Sequence, residues 1–278
     1  MSGTLYVTGT PIGNLEDITL RAKRILEEVD FIAAEDTRVT RGMLTHFDIH
    51  TPLTACNEHS APAVYAGIAD RIEAGENCAV VTDAGMPCIS DPGEKLVKLC
   101  RERGIPVEAV PGPSAVVTAL SVSGGSTAQF TFYAFLPTDQ KSKKQREAML
   151  TELSRERKTC VLYEAPHKLR NTLDDLMRVL GGERMVSFCR ELTKLHEEVL
   201  RLSLSDAVTY YAEHEPRGEF VLVIDGAPAE KGVLSLEDAL TVAKAYIAQG
   251  MSGSAAAKLA ARDTGIPKQE IYRALHEE

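Results

Sequence analysis

The chain is 278 residues long, enough for two domains of roughly 150 residues each. With 44% hydrophobic and 26% charged residues it has the composition of an ordinary globular protein, which excludes a disordered, collagenous or disulfide-scaffold chain. Basic residues number 31 against 40 acidic ones, and the net charge of −9 disfavours gripping naked nucleic acid through the overall field while leaving room for a local basic face.

No stretch supplies the roughly 18 uninterrupted apolar residues of a membrane span. The opening MSGTLYVTGTPIGNLED has no basic segment followed by a long apolar one, so a cytoplasmic protein without a membrane partner is expected. The six cysteines, Cys56, Cys78, Cys88, Cys100, Cys160 and Cys189, are scattered without a CxxC pair and read as reduced, mostly buried thiols.

Taken in chain order, the first half alternates short β-rich runs with helical patterns, the signature of an α/β domain on a mostly parallel sheet. Leu5–Thr8 is the first predicted strand; the turn GTPIGN follows, then a helix with Asp17 as N-cap and an apolar stripe of Ile18, Ala22, Ile25, Leu26 and Val29. Further strands are predicted at Phe31–Ala34, 79–82 and Val107–Val110. Each runs at its carboxyl end into a polar or glycine-containing loop, the edge where ligands bind in open α/β sheets, so four loops converge on one predicted site. The pattern breaks around Ser123-Gly124-Gly125-Ser126, where a second α/β domain is expected to begin, with strands at Phe130–Phe135, 159–163, 185–188 and Phe220–Ile224 and a helix over 168–180. Past Gly226, 235–249 reads as an amphipathic helix, and 252–275 as helix, turn at Thr264-Gly265-Ile266-Pro267, and helix. That outline is a helix-turn-helix; its charges cancel, and it reads equally as a cap that packs on the body or on a partner subunit. The expected organisation is therefore residues 1–124, residues 125–228 and a helical extension over 233–278.

The loops carry the chemistry. Gly9 and Gly13 follow the first strand but lack the G-x-G-x-x-G spacing, and Pro11 removes a backbone donor, which excludes a nicotinamide dehydrogenase. The two glycines are expected to let backbone approach a ligand. In VVTDAGMPCISDPG, Asp83 ends a strand and can accept hydrogen bonds from a ligand hydroxyl or ammonium, Gly85 lets a ligand lie against backbone, and Asp91-Pro92-Gly93 reads as a structural turn. Ser114 opens an Ala/Val/Leu-rich helix, where it either caps the helix or, with the exposed amides, holds a carboxylate. His167 reads as a helix-start surface residue, with a role as base or nucleic-acid contact as the alternative. No HExxH element or other metal-ligand spacing is present, and no metal is expected.

In order along about residues 3–226, the blocks GTPIGNLEDITLRA, AAEDTR, VTDAGMPCISDPG, VPGPSAVVTAL, YEAPHKL, RELTKLHEE and RGEFVLVI resemble the tetrapyrrole methylase superfamily. Within it the resemblance narrows to the ribosomal RNA small subunit methyltransferase I family, with a looser match over 252–275. It implies a two-domain α/β tetrapyrrole-methylase-like fold with a cofactor cleft between the domains, plus the small C-terminal helical segment. The implied activity is methyl transfer from S-adenosylmethionine to the 2′-hydroxyl of a cytidine in the decoding region of 16S rRNA, within the small ribosomal subunit, by a homodimer. By that likeness Pro11, Asp83, Gly85, Met86, Ile89, Ser90, Ser114, Ala115, Tyr163 and Glu164 line the cofactor pocket.

A ribose hydroxyl needs help in losing its proton. Lys194 and Glu197 in RELTKLHEE, or Glu35 and Asp36 in AAEDTR, are the candidates. Arg38, Arg190 and the basic run containing Lys141, Lys143 and Lys144 are candidates for RNA phosphates, against salt bridges or a solvated surface as the alternative roles. Two other functions compete. A methyltransferase acting on a tetrapyrrole or another small molecule fits the net charge of −9 more easily. A DNA-reading regulator working through the C-terminal helices is disfavoured, because its second helix offers only Lys268 and Arg273 against Glu270.

Overall fold

The computed structural model describes residues 2–138, 142–228 and 235–276. Apolar runs such as FIAA and CAVV, buried at every position, suit parallel strands covered on both faces. Strands β1 (Leu5–Thr8), β2 (Phe31–Ala34), β3 (Leu53–Ala55), β4 (Cys78–Val81) and β5 (Val107–Val110) form an all-parallel sheet in the order β3-β2-β4-β1-β5. Helices α1 (Leu20–Glu28), α2 (Thr37–His46), α3 (Pro62–Glu73), α4 (Glu94–Glu102) and α5 (Ala115–Val122) accompany it.

Strand periodicity divides the core between the two faces of this sheet. Phe31, Ala33 and Val80 pack with Ile68 and Ile72 of α3 and Leu96 of α4. Their neighbours Ile32, Ala34, Ala79 and Val81 pack with Ile25 and Leu26 of α1 and Leu44 of α2. Two local expectations are corrected. Asp17 is not an N-cap: it ends a short 3-10 turn, Leu15–Asp17, opened by the Asn14 side chain, and Thr19 caps α1 by accepting a hydrogen bond from the Ala22 amide. Strand β3, absent from the expected set, is only three residues long and none of them is fully buried, so it carries no apolar signal of its own.

The second sheet is mixed. Strands β6 (Phe130–Phe135), β7 (Thr159–Glu164), β8 (Met185–Arg190), β9 (Glu198–Ser203) and β10 (Phe220–Ile224) are ordered β6-β7-β10-β8-β9, with only β6 and β7 parallel. Strand β9 was also not expected, because Glu198 and Arg201 interrupt its apolar positions; Arg201 reaches across the sheet to Asp225 at 2.6 Å. One face of the sheet is covered by α6 (Lys143–Arg155), α7 (Leu169–Leu180) and α8 (Leu204–Glu213). On the other, Val161, Cys189, Val221 and Val223 pack against Val116, Ala119 and Leu120 of α5, so the helix that leaves β5 joins the two sheets.

These elements form one compact unit up to residue 227, and residues 228–278 form a second. In the second unit, α9 (Leu236–Ala248), α10 (Gly253–Thr264) and α11 (Lys268–Ala274) enclose a small core of Ala239, Ala243, Ala257, Ala260 and Ile271. Ser235 and Asp238 form a capping box on α9, and Gly265, with φ of 76°, ends α10 in the left-handed conformation. Among the described residues, no helix is long and apolar enough to cross a membrane.

Candidate active site

Three loops at the carboxyl edge of the parallel sheet are held together chiefly by backbone. Thr10 and Gly85 exchange hydrogen bonds of 2.9 and 3.1 Å in an isolated antiparallel bridge, and the Thr10 hydroxyl donates to the Thr82 carbonyl at 3.1 Å. Gly9 lies against Gly112: a Cβ on Gly9 would stand 2.7 Å from the Gly112 Cα, and one on Gly112 would stand 2.8 Å from the Gly9 Cα. Gly9 and Gly13, expected to bring backbone close to a ligand, also have a packing reason to be glycine. Gly9 gives way to the β5 loop, and Gly13 gives way to the loop after β8, where a Cβ would meet Thr193 Oγ1 at 2.9 Å and the Leu192 carbonyl oxygen at 3.0 Å.

Beside these loops lies a cavity of about 430 Å³. From the first sheet it is lined by Ile12, by the β4 loop from Ala84 to Met86 and from Ile89 to Asp91, and by Ser114 and Ala115. From the second sheet come Phe135, Tyr163, Glu164, His167, Leu192, Lys194 and Val221 among others. Backbone strain concentrates here. Among the described non-glycine residues with positive φ, Ser90 (64°) lines the cavity, while Cys88 (72°), Ala134 (55°), Glu191 (51°) and Thr193 (65°) stand next to residues that do. Each such conformation costs on the order of 1 kcal/mol or more and persists only where the surroundings impose it.

Of the ten residues singled out for a cofactor, Gly85, Met86, Ile89, Ser90, Ser114, Ala115, Tyr163 and Glu164 lie around this one cavity. Pro11 is buried beside it and Asp83 faces away, toward the β2 loop; neither is in the lining. Ser114 occupies the N-cap position of α5 without making a side-chain cap hydrogen bond. Glu164 is 4% exposed and spends both carboxylate oxygens locally, accepting from Thr172 Oγ1 at 2.5 Å and from the Ala165 amide at 2.8 Å. Burial, with the negative charge of Asp91 added, pushes the Tyr163 phenol up to about 12.

The four candidates for proton removal are placed differently. Lys194 is in the lining, ion-paired with Glu191 at 2.9 Å and with Glu219 at 2.8 Å. Partial burial lowers its pKa, and these two carboxylates outweigh that effect and raise it. Glu197 is outside the lining and accepts a hydrogen bond of 2.6 Å from the Thr193 amide. Glu35 and Asp36, at the end of β2, meet Asp83: the Asp83 amide donates to Glu35, and the Asp36 amide donates to the Asp83 carboxylate. Desolvation raises both Glu35 and Asp83, whereas hydrogen bonds from Arg38 lower Asp36 to about 2.

The phosphate candidates are spread over the surface. Arg38 is exposed and pairs with Asp36 at 2.6 Å, and Arg190 pairs with Glu198 across the β8–β9 ladder at 3.1 Å. Lys143 and Lys144 are exposed in the first turn of α6, while Lys141 lies outside the described residues. Sequence reasoning passed over Asp91, Phe135 and Leu192. Asp91 does belong to a turn, closed by the Cys88 amide donating to the Pro92 carbonyl at 3.1 Å, but its carboxyl also borders the cavity. Desolvation, followed by the charges of Glu35 and Asp83, pushes it up to about 6. The Asp-Pro-Gly string signals only the turn. Phe135 is 51% exposed, and no apolar periodicity marks such a residue as part of a site.

Residues 4–208 match the family model for tetrapyrrole (corrin/porphyrin) methylases. A ribosomal RNA small subunit methyltransferase I from Halalkalibacterium halodurans is 46% identical over 99% of this chain and 96% of that protein. One from Synechocystis sp. is 43% identical over 98% of this chain and 96% of that protein. The chain belongs to the ribosomal RNA small subunit methyltransferase I family, within the tetrapyrrole methylases. Its fold is the tetrapyrrole methylase fold. A crystal structure of uroporphyrin-III C-methyl transferase from Thermus thermophilus complexed with S-adenyl homocysteine superposes with a TM-score of 0.58 at 18% identity, over 80% of this chain and 97% of that one. In a methylase of this fold, the cavity where both sheets contribute side chains is the place to look for chemistry.

Proposed function

We propose that the protein transfers a methyl group from S-adenosylmethionine to the 2′-hydroxyl of a cytidine in the decoding region of 16S rRNA, acting in the cytoplasm as a homodimer on the small ribosomal subunit. The observation that carries this reading is the gathering of eight residues named for the cofactor around one 430 Å³ cavity, in a chain 46% identical to a ribosomal RNA methyltransferase. A cavity of that size falls within the range of cofactor sites. Its chemistry also fits: Ile12, Leu192 and Val221 are apolar surface for an adenosine, and Ser114, whose hydroxyl makes no cap bond, stands at the N-terminus of α5 where a carboxylate is favoured. When bound, S-adenosylmethionine supplies an electrophilic methyl carbon on its sulfonium, and alignment and proton removal fall to the protein.

Lys194, held between two carboxylates, keeps its proton and serves this reaction as a fixed cation, holding an oxygen of the acceptor in place. The residues at 1–124 and 125–228 act as two domains with the cofactor between them, and Lys143 and Lys144 meet phosphates. The decisive experiment supplies labelled S-adenosylmethionine to small subunits purified from cells lacking the protein, with naked 16S rRNA alongside and nucleoside mass spectrometry as readout. A labelled 2′-O-methylcytidine is the expected product. Labelling of a base carbon or nitrogen would overturn the ribose assignment, and no RNA label at all would turn attention to small-molecule acceptors. Reversing both charges, Lys143→Glu with Lys144→Glu, weakens subunit binding and flattens its salt dependence by a slope of about 2.

A further inference from the structure

A methyltransferase needs a compartment for the donor and one for the acceptor, meeting where the bond is made. A second cavity, of about 450 Å³, adjoins the first, and Ser90, Asp91 and Phe135 line both. Its far side is formed by Glu58 and Tyr65, which belong to the segment after β3, and by Glu94 and Lys95 at the start of α4. Of the three residues at the seam, only Asp91 carries a base. Its carboxylate receives no hydrogen bond and joins no ion pair among the described residues, although it is partly buried. A carboxylate with no structural partner, at the boundary of two cavities, is free to take one from a substrate.

The aromatic at the same seam is held in an unusual way. A register shift between Phe132 and Ala134 interrupts the pairing of β6 with β7, and Ala134 sits at φ of 55°. Such a bulge re-aims the side chain that follows it. Phe135 is thereby left half-exposed, with its ring 5.4 Å from that of Tyr163 and one side available for stacking.

We propose that the second cavity receives the acceptor nucleoside, its base stacked on Phe135, and that Asp91 accepts the proton of the ribose hydroxyl during methyl transfer. This rests on the RNA ribose reading given above. In the step, the hydroxyl oxygen forms its bond to the methyl carbon as the carbon–sulfur bond breaks. The bonding pair returns to sulfur, the sulfonium charge is discharged to a thioether, and the hydroxyl proton passes to an Asp91 carboxylate oxygen and then to solvent. The charges of Glu35 and Asp83 act on Asp91, and its own charge acts on Cys88 and on Tyr163 of β7; Glu58, Glu94 and Lys95 share the second cavity with it, and Glu164, His167, Lys194 and Glu219 share the first. With desolvation first, and then the charges of Glu35 and Asp83, raising it to about 6, Asp91 is ionised at neutral pH while still basic enough to take a proton.

The test compares the full-length protein with Asp91→Asn and Phe135→Ala on small subunits from cells lacking the enzyme, in single turnovers at saturating S-adenosylmethionine between pH 5 and 8. Wild-type rates are expected to rise about tenfold per pH unit up to pH ~6 and then flatten. Asp91→Asn loses on the order of 10²–10⁴ in rate and loses the bend, while its S-adenosylmethionine affinity, read by calorimetry, stays near wild type and reports that the variant is folded. Phe135→Ala raises the KM for subunits and leaves the bend in place. A rate for Asp91→Asn close to wild type, with the bend unmoved, overturns the assignment of the base while leaving the function intact. A wild-type protein that labels no ribose defeats both.

Discussion

The wall of the cavity that comes from the parallel sheet and the wall that comes from the mixed sheet are held by different forces. On the first, Gly9 against Gly112 and Thr10 against Gly85 bring backbone onto backbone with almost no side chain between. On the second, Lys194 is held between Glu191 and Glu219, the Thr193 amide binds Glu197, and two left-handed residues carry the turn. Direct backbone contact leaves nothing that can rotate out of the way, so the first wall is rigid and intolerant of added atoms. An ion-paired wall can shift with pH and salt. The two meet where Gly13 abuts Leu192, Thr193 and Lys194.

Breaking the first wall should have the largest effect. In Gly112→Ala the new methyl meets three backbone atoms of Gly9 at 2.8–2.9 Å, none of which can swing aside. We expect a loss of about 2–3 kcal/mol, seen in calorimetry as a melting point lower by roughly 4–10 °C, together with weaker cofactor binding. An unchanged melting point would show that the loops are looser than their packing indicates.

On the second wall, Lys194→Met leaves Glu191 and Glu219 without their cation. The expected cost is about 1 kcal/mol, because both carboxylates keep some contact with water, with methyl transfer slowed on the order of 10²-fold by the loss of the fixed cation. The pH dependence separates this wall from the first. Glu191, partly desolvated but bonded to Lys194, has its folded pKa lowered, and Lys194 has its own raised. The stability they share is therefore complete between the ordinary glutamate and lysine values, about pH 5 to 10, and is lost as pH falls through the depressed Glu191 value or rises through the elevated Lys194 value. The melting points of wild type and Lys194→Met should converge at acid pH, whereas those of wild type and Gly112→Ala should stay apart.

The smallest effect tests the charged group at the rim of the rigid wall. Asp91 has a folded pKa near 6, above its ordinary value, so the folded state holds an extra proton between about pH 4 and 6 and its stability falls as pH rises through that window. Asp91→Asn should therefore stabilise the protein above pH 6 and give no gain below pH ~4. Allowing for solvent screening of a half-exposed group, the gain is about 1 kcal/mol, or roughly 2–4 °C in melting point. A variant both more stable and far slower is what a residue kept for chemistry predicts. Equal melting points across the pH range would remove the strained charge from this account.

The two walls were also unequally legible in the sequence. Strand β2 stands where its apolar run placed it, because a strand buried at every position is written as a continuous hydrophobic segment; β1, half-buried at its centre, and β5, an edge strand with Glu108 and Ala109 exposed, also stand where they were expected, marked by the turn residues that follow them. Strand β3 was too short to leave a signal, and in β9 the alternating Glu198 and Arg201 hid a strand whose charges are satisfied by partners on β8 and beyond β10. The DAGMPCISDPG and PGPSA loops could be read as a site because several polar loops at the carboxyl ends of parallel strands must share one edge. On the far wall the sequence named Tyr163, Glu164 and Lys194 but not Phe135 or Leu192: Leu192 lies in a turn between left-handed Glu191 and Thr193, and no residue type there announces that it lines a cavity.

The sequence by itself determined the alternation of strands and helices, the loops that gather around the cavity, the resemblance that names the family and the helix-turn-helix outline of the C-terminal segment. Those are local properties, written in periodicity, turn residues and contiguous motifs. Only the tertiary structure decided that Gly9 serves Gly112, that Lys194 is pinned by two carboxylates, and that Asp91 and Phe135 share the seam of two cavities. Each of these depends on residues distant in the chain meeting at one point, and pKa, accessibility and steric room are properties of that meeting, not of the residues taken singly.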